Sequence, residues 1–242
     1  MARCSLAGGR CGRLGEPCPS PRRCVARTIQ RLRDRRWRDQ LGLFAVEGED
    51  LVDAARAAGV EAQEVLVAGE DVEPALLAEV STLAHPPRAI GIYRRDALPQ
   101  APLPDVGLAL WRVADPGNVG TLLRTADALG PAFVALSPGC ADPTAPKALR
   151  ASMGAIFRVP TCSFAEAPGR RVALVPRGGT PLPEVALDGA VAFVLGAERK
   201  GLPEDVPVDE RASIPQPGGG ESLNVALAGA IALYELARRA SS

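Results

Sequence analysis

The sequence predicts an α/β fold in two parts, a small amino-terminal unit and a larger carboxyl-terminal unit built on a parallel sheet. Three observations carry that prediction. Short apolar runs of strand length alternate with longer segments of helical apolar spacing, the order that builds parallel sheets. A proline-rich stretch, Pro99-Gln100-Ala101-Pro102-Leu103-Pro104, interrupts the alternation once, and prolines at that density stiffen and extend a chain. The 242 residues are 47% hydrophobic, enough to fill a core and too many for a disordered chain.

Residues 1–24 hold glycines and prolines among arginines with no apolar period, and read as a disordered Arg/Cys/Pro-rich tail. Order is expected from Val25. Thr28 to Gln40 reads as a helix with Ile29, Leu32, Arg36 and Trp37 near one face. Leu43 to Val46 is a short buried strand, and Glu47-Gly48-Glu49 leads into a helix carrying Leu51, Val52, Ala55 and Ala58 that Gly59 ends. Val65 to Ala68 is a second strand, Pro74 to Leu83 a second helix, and Ala89 to Tyr93 a third strand. Residues 25–98 thus form a small α/β unit able to fold alone. Residues 99–104 are its linker.

From 105 to 242 the alternation resumes. Val106 to Val113 reads as a strand, Val119 to Leu129 as a helix, Ala132 to Leu136 as a strand and Thr144 to Ala151 as a helix. Val172 to Val175 and Val191 to Leu195 are further buried strands, and a short strand at Ala212 to Ile214 precedes a closing helix from Leu223 to Arg239. This pattern predicts a parallel sheet covered on both faces. The closing helix carries an apolar stripe of Leu223, Ala226, Leu227, Ala230 and Tyr234 with Gly229 beside it. An interior glycine costs about 0.8–1.0 kcal/mol relative to alanine and so points to a close backbone contact.

Charge divides the chain. Residues 1–40 carry eleven arginines against Glu16, Asp34 and Asp39, a balance of +8, and the chain as a whole is neutral. A basic arm on an acidic body suits contact with a polyanion. No run approaches the roughly 20 apolar residues that cross a bilayer, and the first residues lack a secretory core, so the expected location is cytoplasmic. Cys4, Cys11, Cys18 and Cys24 do not offer the tight pair that a structural zinc site uses, so no metal is expected and these read as free thiols.

Three polar, glycine-bearing loops follow predicted strands, the end at which open α/β sheets bind ligands. They are Ala114 to Thr121, Leu195 to Leu202 and Ile214 to Asn224. In the first, the backbone N–H groups opening the next helix are candidates to receive an anion. Ser222 reads either as a site residue or as a helix cap. His85, the only histidine, stands beside Pro86-Pro87 in the small unit, so a serine–histidine triad lacks its base. No phosphate-loop lysine and no GxGxxG is present, which leaves nucleotide hydrolysis and dinucleotide redox without their parts. Group transfer from an already activated donor fits what remains.

In this order the loops resemble the SpoU-like (TrmH-type) branch of the SPOUT RNA methyltransferases. The resemblance rests on Asp115-Pro116-Gly117-Asn118-Val119-Gly120-Thr121-Leu122-Leu123-Arg124-Thr125-Ala126, on Phe193 to Leu202, on Ile214-Pro215-Gln216, and on Glu221 to Ala226, with Lys147 to Ala155 similar to the family's central segment. The small unit, with Phe44-Ala45-Val46-Glu47-Gly48-Glu49, resembles a substrate-binding domain similar in fold to a ribosomal protein. The resemblance implies methyl transfer from S-adenosylmethionine to a ribose 2′-hydroxyl, with ribosomal RNA favoured over transfer RNA, and a deep trefoil knot in the carboxyl-terminal domain. A catalytically idle RNA-binding or ribosome-assembly factor on the same fold is the rival from another class.

The resemblance also implies site residues. Leu195, Gly196, Gly201, Ile214 and Leu223 fall in the cofactor pocket. Arg124 is the essential residue near the reacting hydroxyl, either as a perturbed base or by gripping phosphate. Asn118 would fix Arg124 and the ribose, Glu198 would hold the loops or orient Arg124, and Ser222 and Asn224 would supply hydrogen bonds. Arg199-Lys200 departs from the family pattern, being more basic than the acidic or small residues often found there, and its charge suits contact with RNA phosphate. The closing helix would form a homodimer interface, a twofold arrangement common among oligomers.

Overall fold

A computed structural model describes residues 21–198, 200–218 and 222–240. The tail at 1–20 with Cys4, Cys11 and Cys18, Arg199, Gly219 to Glu221 and the last two residues lie outside the described residues. The first helix, α1 (Pro21–Leu32), begins upstream of Val25. Cys24, expected to be a free thiol of the tail, is buried in this helix and disulfide-bonded. The single helix expected over Thr28 to Gln40 is broken in two. Asp34 is extended, and its carboxylate accepts the Arg36 N–H at 2.8 Å, which starts α2 (Arg35–Leu41) as an N-cap does. Gly42, in the left-handed conformation at φ 65°, ends it.

β1 (Leu43–Glu47), α3 (Glu49–Ala57), β2 (Glu64–Val67), α4 (Pro74–Val80) and β3 (Ala89–Arg94) follow. The three strands form an antiparallel sheet in the order β1-β3-β2. Strand alternation gives this sheet two apolar faces. Leu43, Ile90 and Ile92 meet Ile29 and Leu32 of α1 and Leu77 of α4. Phe44, Val46 and Tyr93 face the other way, with Leu51, Val52 and Ala55 of α3. That second face is closed by the carboxyl-terminal half: Phe157 lies 6.1 Å from Phe44 and 5.4 Å from Tyr93, ring centre to ring centre. The small unit therefore shares a core with the rest of the chain.

The larger half contains β4 (Val106–Leu110), α5 (Pro116–Leu129), β5 (Phe133–Leu136), α6 (Pro146–Ser152), β6 (Thr161–Ser163), β7 (Arg170–Val175), β8 (Thr180–Pro181), β9 (Val191–Leu195), β10 (Glu210–Ser213) and α7 (Val225–Ala240). Its seven strands are parallel, in the order β6-β5-β4-β9-β7-β10-β8. After β9 the chain passes β7 to reach β10, then returns as α7 to pack on α5 and β9. One face of the sheet, with Leu108, Leu110, Phe193 and Leu195, is covered by α5 and α7. The opposite face, with Ala109, Ala135, Ala173 and Val194, is covered by Phe164, Leu202 and Val206 from turns and loops. β6 and β8 were not foreseen, because two or three residues are too short to show alternation.

Two glycines set the helix spacing. A Cβ on Gly120 would lie 2.3 Å from the Ala148 carbonyl oxygen, so only glycine lets α5 approach α6. A Cβ on Gly229 would lie 2.4 Å from Leu122 Cδ2 and 3.0 Å from Leu195 Cδ1, so the close approach expected at the closing helix is to leucine side-chain ends rather than to a neighbouring backbone. The two halves are also joined by a buried ion pair. Arg38 Nε donates to Asp142 Oδ2 at 2.8 Å, with the side chains 3% and 2% exposed, and Arg95 approaches Asp142 Oδ1 at 3.2 Å. Burial raises the Asp142 carboxyl, but the Thr144 hydroxyl, Arg95, the Thr144 N–H and Arg38 outweigh it and hold it below the ordinary range.

Candidate active site

The carboxyl ends of β7, β9 and β10 open on one cavity of about 450 Å³. Leu195, Gly196, Gly201, Ile214 and Leu223, the five expected pocket residues, all line it. Glu198, Ser222 and Asn224 line it too. Its wall also includes Leu174, Val175 and Pro176 from the end of β7, which sequence reasoning did not single out. Position at a strand end of the sheet is the signal that would have found them. Gly196 is required by a tight fold beneath the cavity, since a Cβ there would lie 2.5 Å from the Gly201 carbonyl carbon.

Three of the expected polar residues are joined in series. Asn118 Nδ2 donates to Glu198 Oε1 at 3.0 Å, and Asn224 Nδ2 donates to Asn118 Oδ1 at 3.2 Å. The first, second and third loops are thereby tied together. Burial raises the Glu198 carboxyl, yet the Asn118 amide and the backbone N–H groups at Glu198, Asp115 and Ala114 leave it below its ordinary value. Glu198 is therefore a carboxylate at neutral pH, suited to accepting hydrogen bonds rather than giving up a proton.

Two expectations are corrected by these contacts. The backbone N–H groups opening α5 are not available to an anion, because Asp115 Oδ1 accepts from Gly117 at 2.6 Å and Asn118 at 3.1 Å. Asp115 is held in turn by Lys147 Nζ at 2.9 Å, which lowers its carboxyl first by that hydrogen bond. Asn224, not Ser222, caps α7. Its Oδ1 accepts from Ala226 at 2.8 Å and Leu227 at 3.3 Å, while its Nδ2 faces Asn118.

Arg124 stands apart from this group. It lies on α5 more than two turns beyond Pro116, is exposed, and makes no ion pair or side-chain hydrogen bond among the described residues. Glu198 does not orient it in this structure. Asn118 is likewise engaged with Glu198 and Asn224 rather than with Arg124. The arrangement is a pocket with apolar walls and backbone edges, bordered by an amide–carboxylate–amide chain, with one exposed guanidinium on the adjoining helix.

Comparisons with known proteins agree along almost the whole chain. The SpoU rRNA methylase family matches residues 105–234, and an MRM3-like substrate-binding domain matches residues 26–91. An uncharacterized tRNA/rRNA methyltransferase of Synechocystis is 30% identical over 89% of this chain and 91% of its own. The 23S rRNA (guanosine(2553)-2′-O)-methyltransferase RlmP of Bacillus subtilis is 31% identical over 86% of this chain and 93% of its own. The crystal structure of an AdoMet-bound rRNA methyltransferase from Sinorhizobium meliloti superposes with a TM-score of 0.78 at 28% identity, covering 89% of this chain and 94% of that one.

Proposed function

Because the chain belongs to the SpoU rRNA methylase family, we propose that it transfers a methyl group from S-adenosylmethionine to a ribose 2′-hydroxyl of ribosomal RNA. The observation that carries this reading is one cavity lined by the loops after β9 and β10, with Asn118 from the start of α5 tied to its border by hydrogen bonds to Glu198 and Asn224.

The residues present fit the cofactor. The cavity volume lies within the roughly 300–1,000 Å³ range of small-molecule sites. Leu195, Ile214, Leu223 and Ala228 give apolar walls for a purine, and the backbone at Gly196 and Gly201 gives polar edges. When bound, S-adenosylmethionine supplies a methyl group already activated on a sulfonium. The chain must then hold the ribose oxygen in line and see its proton removed.

We assign Asn118, Ser222 and Asn224 to holding the ribose, and Glu198 to fixing the loops that carry them. A guanidinium is a poor general base, because it offers no lone pair to accept a proton. The exposure of Arg124 and its lack of an ion pair among the described residues support the other role, gripping the phosphate of the target nucleotide.

The outward face of α7 supports a homodimer. Leu227, Ile231 and Tyr234, spaced for one face of the helix, are 57%, 38% and 58% exposed, while Ala226, Gly229 and Leu233 pack inward. The passage of the chain beyond β7 to β10 and back to α5 supports a knotted carboxyl terminus. A cytoplasmic enzyme is consistent with this, and no helix among the described residues is long and apolar enough to cross a membrane.

Labelled S-adenosylmethionine, incubated with the protein and either purified ribosomal RNA or transfer RNA, tests the reading. Digestion to nucleosides should place the label in a 2′-O-methylnucleoside from ribosomal RNA. Label in transfer RNA alone would move the substrate, and label in neither would end the enzyme reading.

A further inference from the structure

Residues 21–41, the helical corner formed by α1 and α2, carry eight arginines against two aspartates. Some of these guanidiniums are engaged within the protein. Arg38 binds Asp142, Arg33 donates to the Ser81 carbonyl oxygen, and Arg35 donates to the Cys140 carbonyl oxygen. Arg31 and Arg36 differ. Both are exposed, neither makes an ion pair among the described residues, and both lie over the half-buried ring of Trp37, at 4.8 and 5.9 Å from its centre.

The indole quadrupole attracts a cation over its face, and an arginine stacked in this way keeps the N–H edge of its planar fork for an outside acceptor. Two like charges gathered on one ring repel each other, and an arriving anion relieves that repulsion. The carboxylate nearest in sequence, Asp34, is directed to the Arg36 backbone N–H, and Asp39 to Arg35 and Arg95. The result is a pair of pre-ordered guanidiniums without an internal counter-ion among the described residues.

We infer that Arg31 and Arg36, held on Trp37, form a phosphate clamp for the RNA backbone away from the reacting nucleotide. This rests on the reading of the chain as an RNA methyltransferase. The clamp sits on a rigid base. Arg38, one residue beyond Trp37, enters the buried pair with Asp142, and Arg35 holds Cys140, whose thiol in turn donates to the Leu110 carbonyl oxygen at the end of β4. The loop that follows β4 ends at Asp115, which caps α5, and the first turn of α5 carries Asn118. Phosphate held at the corner is thereby kept at a fixed distance from the cavity, so the clamp selects RNA by where its backbone passes, with no base read directly.

The test measures RNA binding and methylation together, using purified ribosomal RNA across a salt series. Each lost phosphate contact should reduce the slope of log affinity against log salt by about 0.7 for single strands. The double variant Arg31→Gln/Arg36→Gln should therefore raise the KM for RNA and flatten the slope by about 1.4, with S-adenosylmethionine affinity as in the wild type. Trp37→Ala should also raise the KM for RNA, and Trp37→Phe should restore most of the loss. Wild-type KM and slope in the double variant, in a preparation whose wild type methylates RNA, would overturn the clamp. A wild type that binds RNA with the expected slope but never methylates it would instead overturn the enzyme reading.

Discussion

Replacing Arg38 with methionine should cost about 3–4 kcal/mol of stability. Removing one partner of a buried ion pair typically costs about 3–5 kcal/mol, because the other charge is left in a poor solvent. Here the Asp142 carboxylate keeps Arg95 at 3.2 Å and the Thr144 N–H and hydroxyl, which places that loss at the low end of the range. Arg38 Nη1 also donates to the Leu32 and Arg33 carbonyl oxygens, and these net bonds add about 1 kcal/mol. Asp142→Asn should cost about 2–3 kcal/mol by the same reasoning. The double variant Arg38→Met/Asp142→Asn should cost less than the sum of the single changes by at least about 1 kcal/mol, since it strands no charge. Urea denaturation at pH 7 reads all three. The Asp142 carboxyl is depressed in the folded state, so its contribution is complete above the unfolded value near about 3.9 and is lost as pH falls through the folded value. The wild type should therefore weaken below about pH 4, and Asp142→Asn should lack that part of the decline. Single losses under about 1 kcal/mol, or additivity within about 0.5 kcal/mol, would refute the reasoning.

Other perturbations have equally definite outcomes. Gly120→Ala would drive a Cβ into the Ala148 carbonyl oxygen and should destabilise by about 2–3 kcal/mol, a fall in Tm of about 4–12 °C by calorimetry. Glu198→Ala releases Asn118 and with it the tie between loops, so methyl transfer should fall about 10–100-fold with Tm little changed; activity above half the wild type would contradict this role. Leu227→Glu/Tyr234→Glu should sediment as a monomer where the wild type sediments as a dimer, and a monomeric wild type would remove the interface. Burial, with Glu166 nearby, pushes the Cys162 thiol up to about 11. At pH 8 it should be alkylated about 100-fold more slowly than an ordinary cysteine, as mapped by peptide mass spectrometry.

Much of this molecule is legible in its sequence where the signal is local. The apolar runs at Leu43 to Val46, Val172 to Val175 and Val191 to Leu195 became strands because each is long enough to be recognised and is flanked by breakers. Gly229 announced a close helix contact, and Leu122 makes it. Five of the residues that line the cavity are legible because strand ends and glycine-bearing loops carry position in the fold as well as chemistry. What escaped depends on distant partners. Asp34 splits a continuous helical pattern by turning its carboxylate to the backbone, and Asp115 does the same at α5, filling N–H groups that looked open. The bond between Arg38 and Asp142 joins residues 104 positions apart, and no periodicity reveals it. Phe157 likewise gave no sign that it would complete the core of the small unit with Phe44 and Tyr93.

A crystal structure with S-adenosylmethionine bound tests the central claim most directly. The account predicts the adenosine between Leu195, Ile214 and Leu223, with the sulfonium methyl open toward the side where Asn118 and Asn224 meet. Density for the ligand at any other place, with this cavity unchanged, would contradict it.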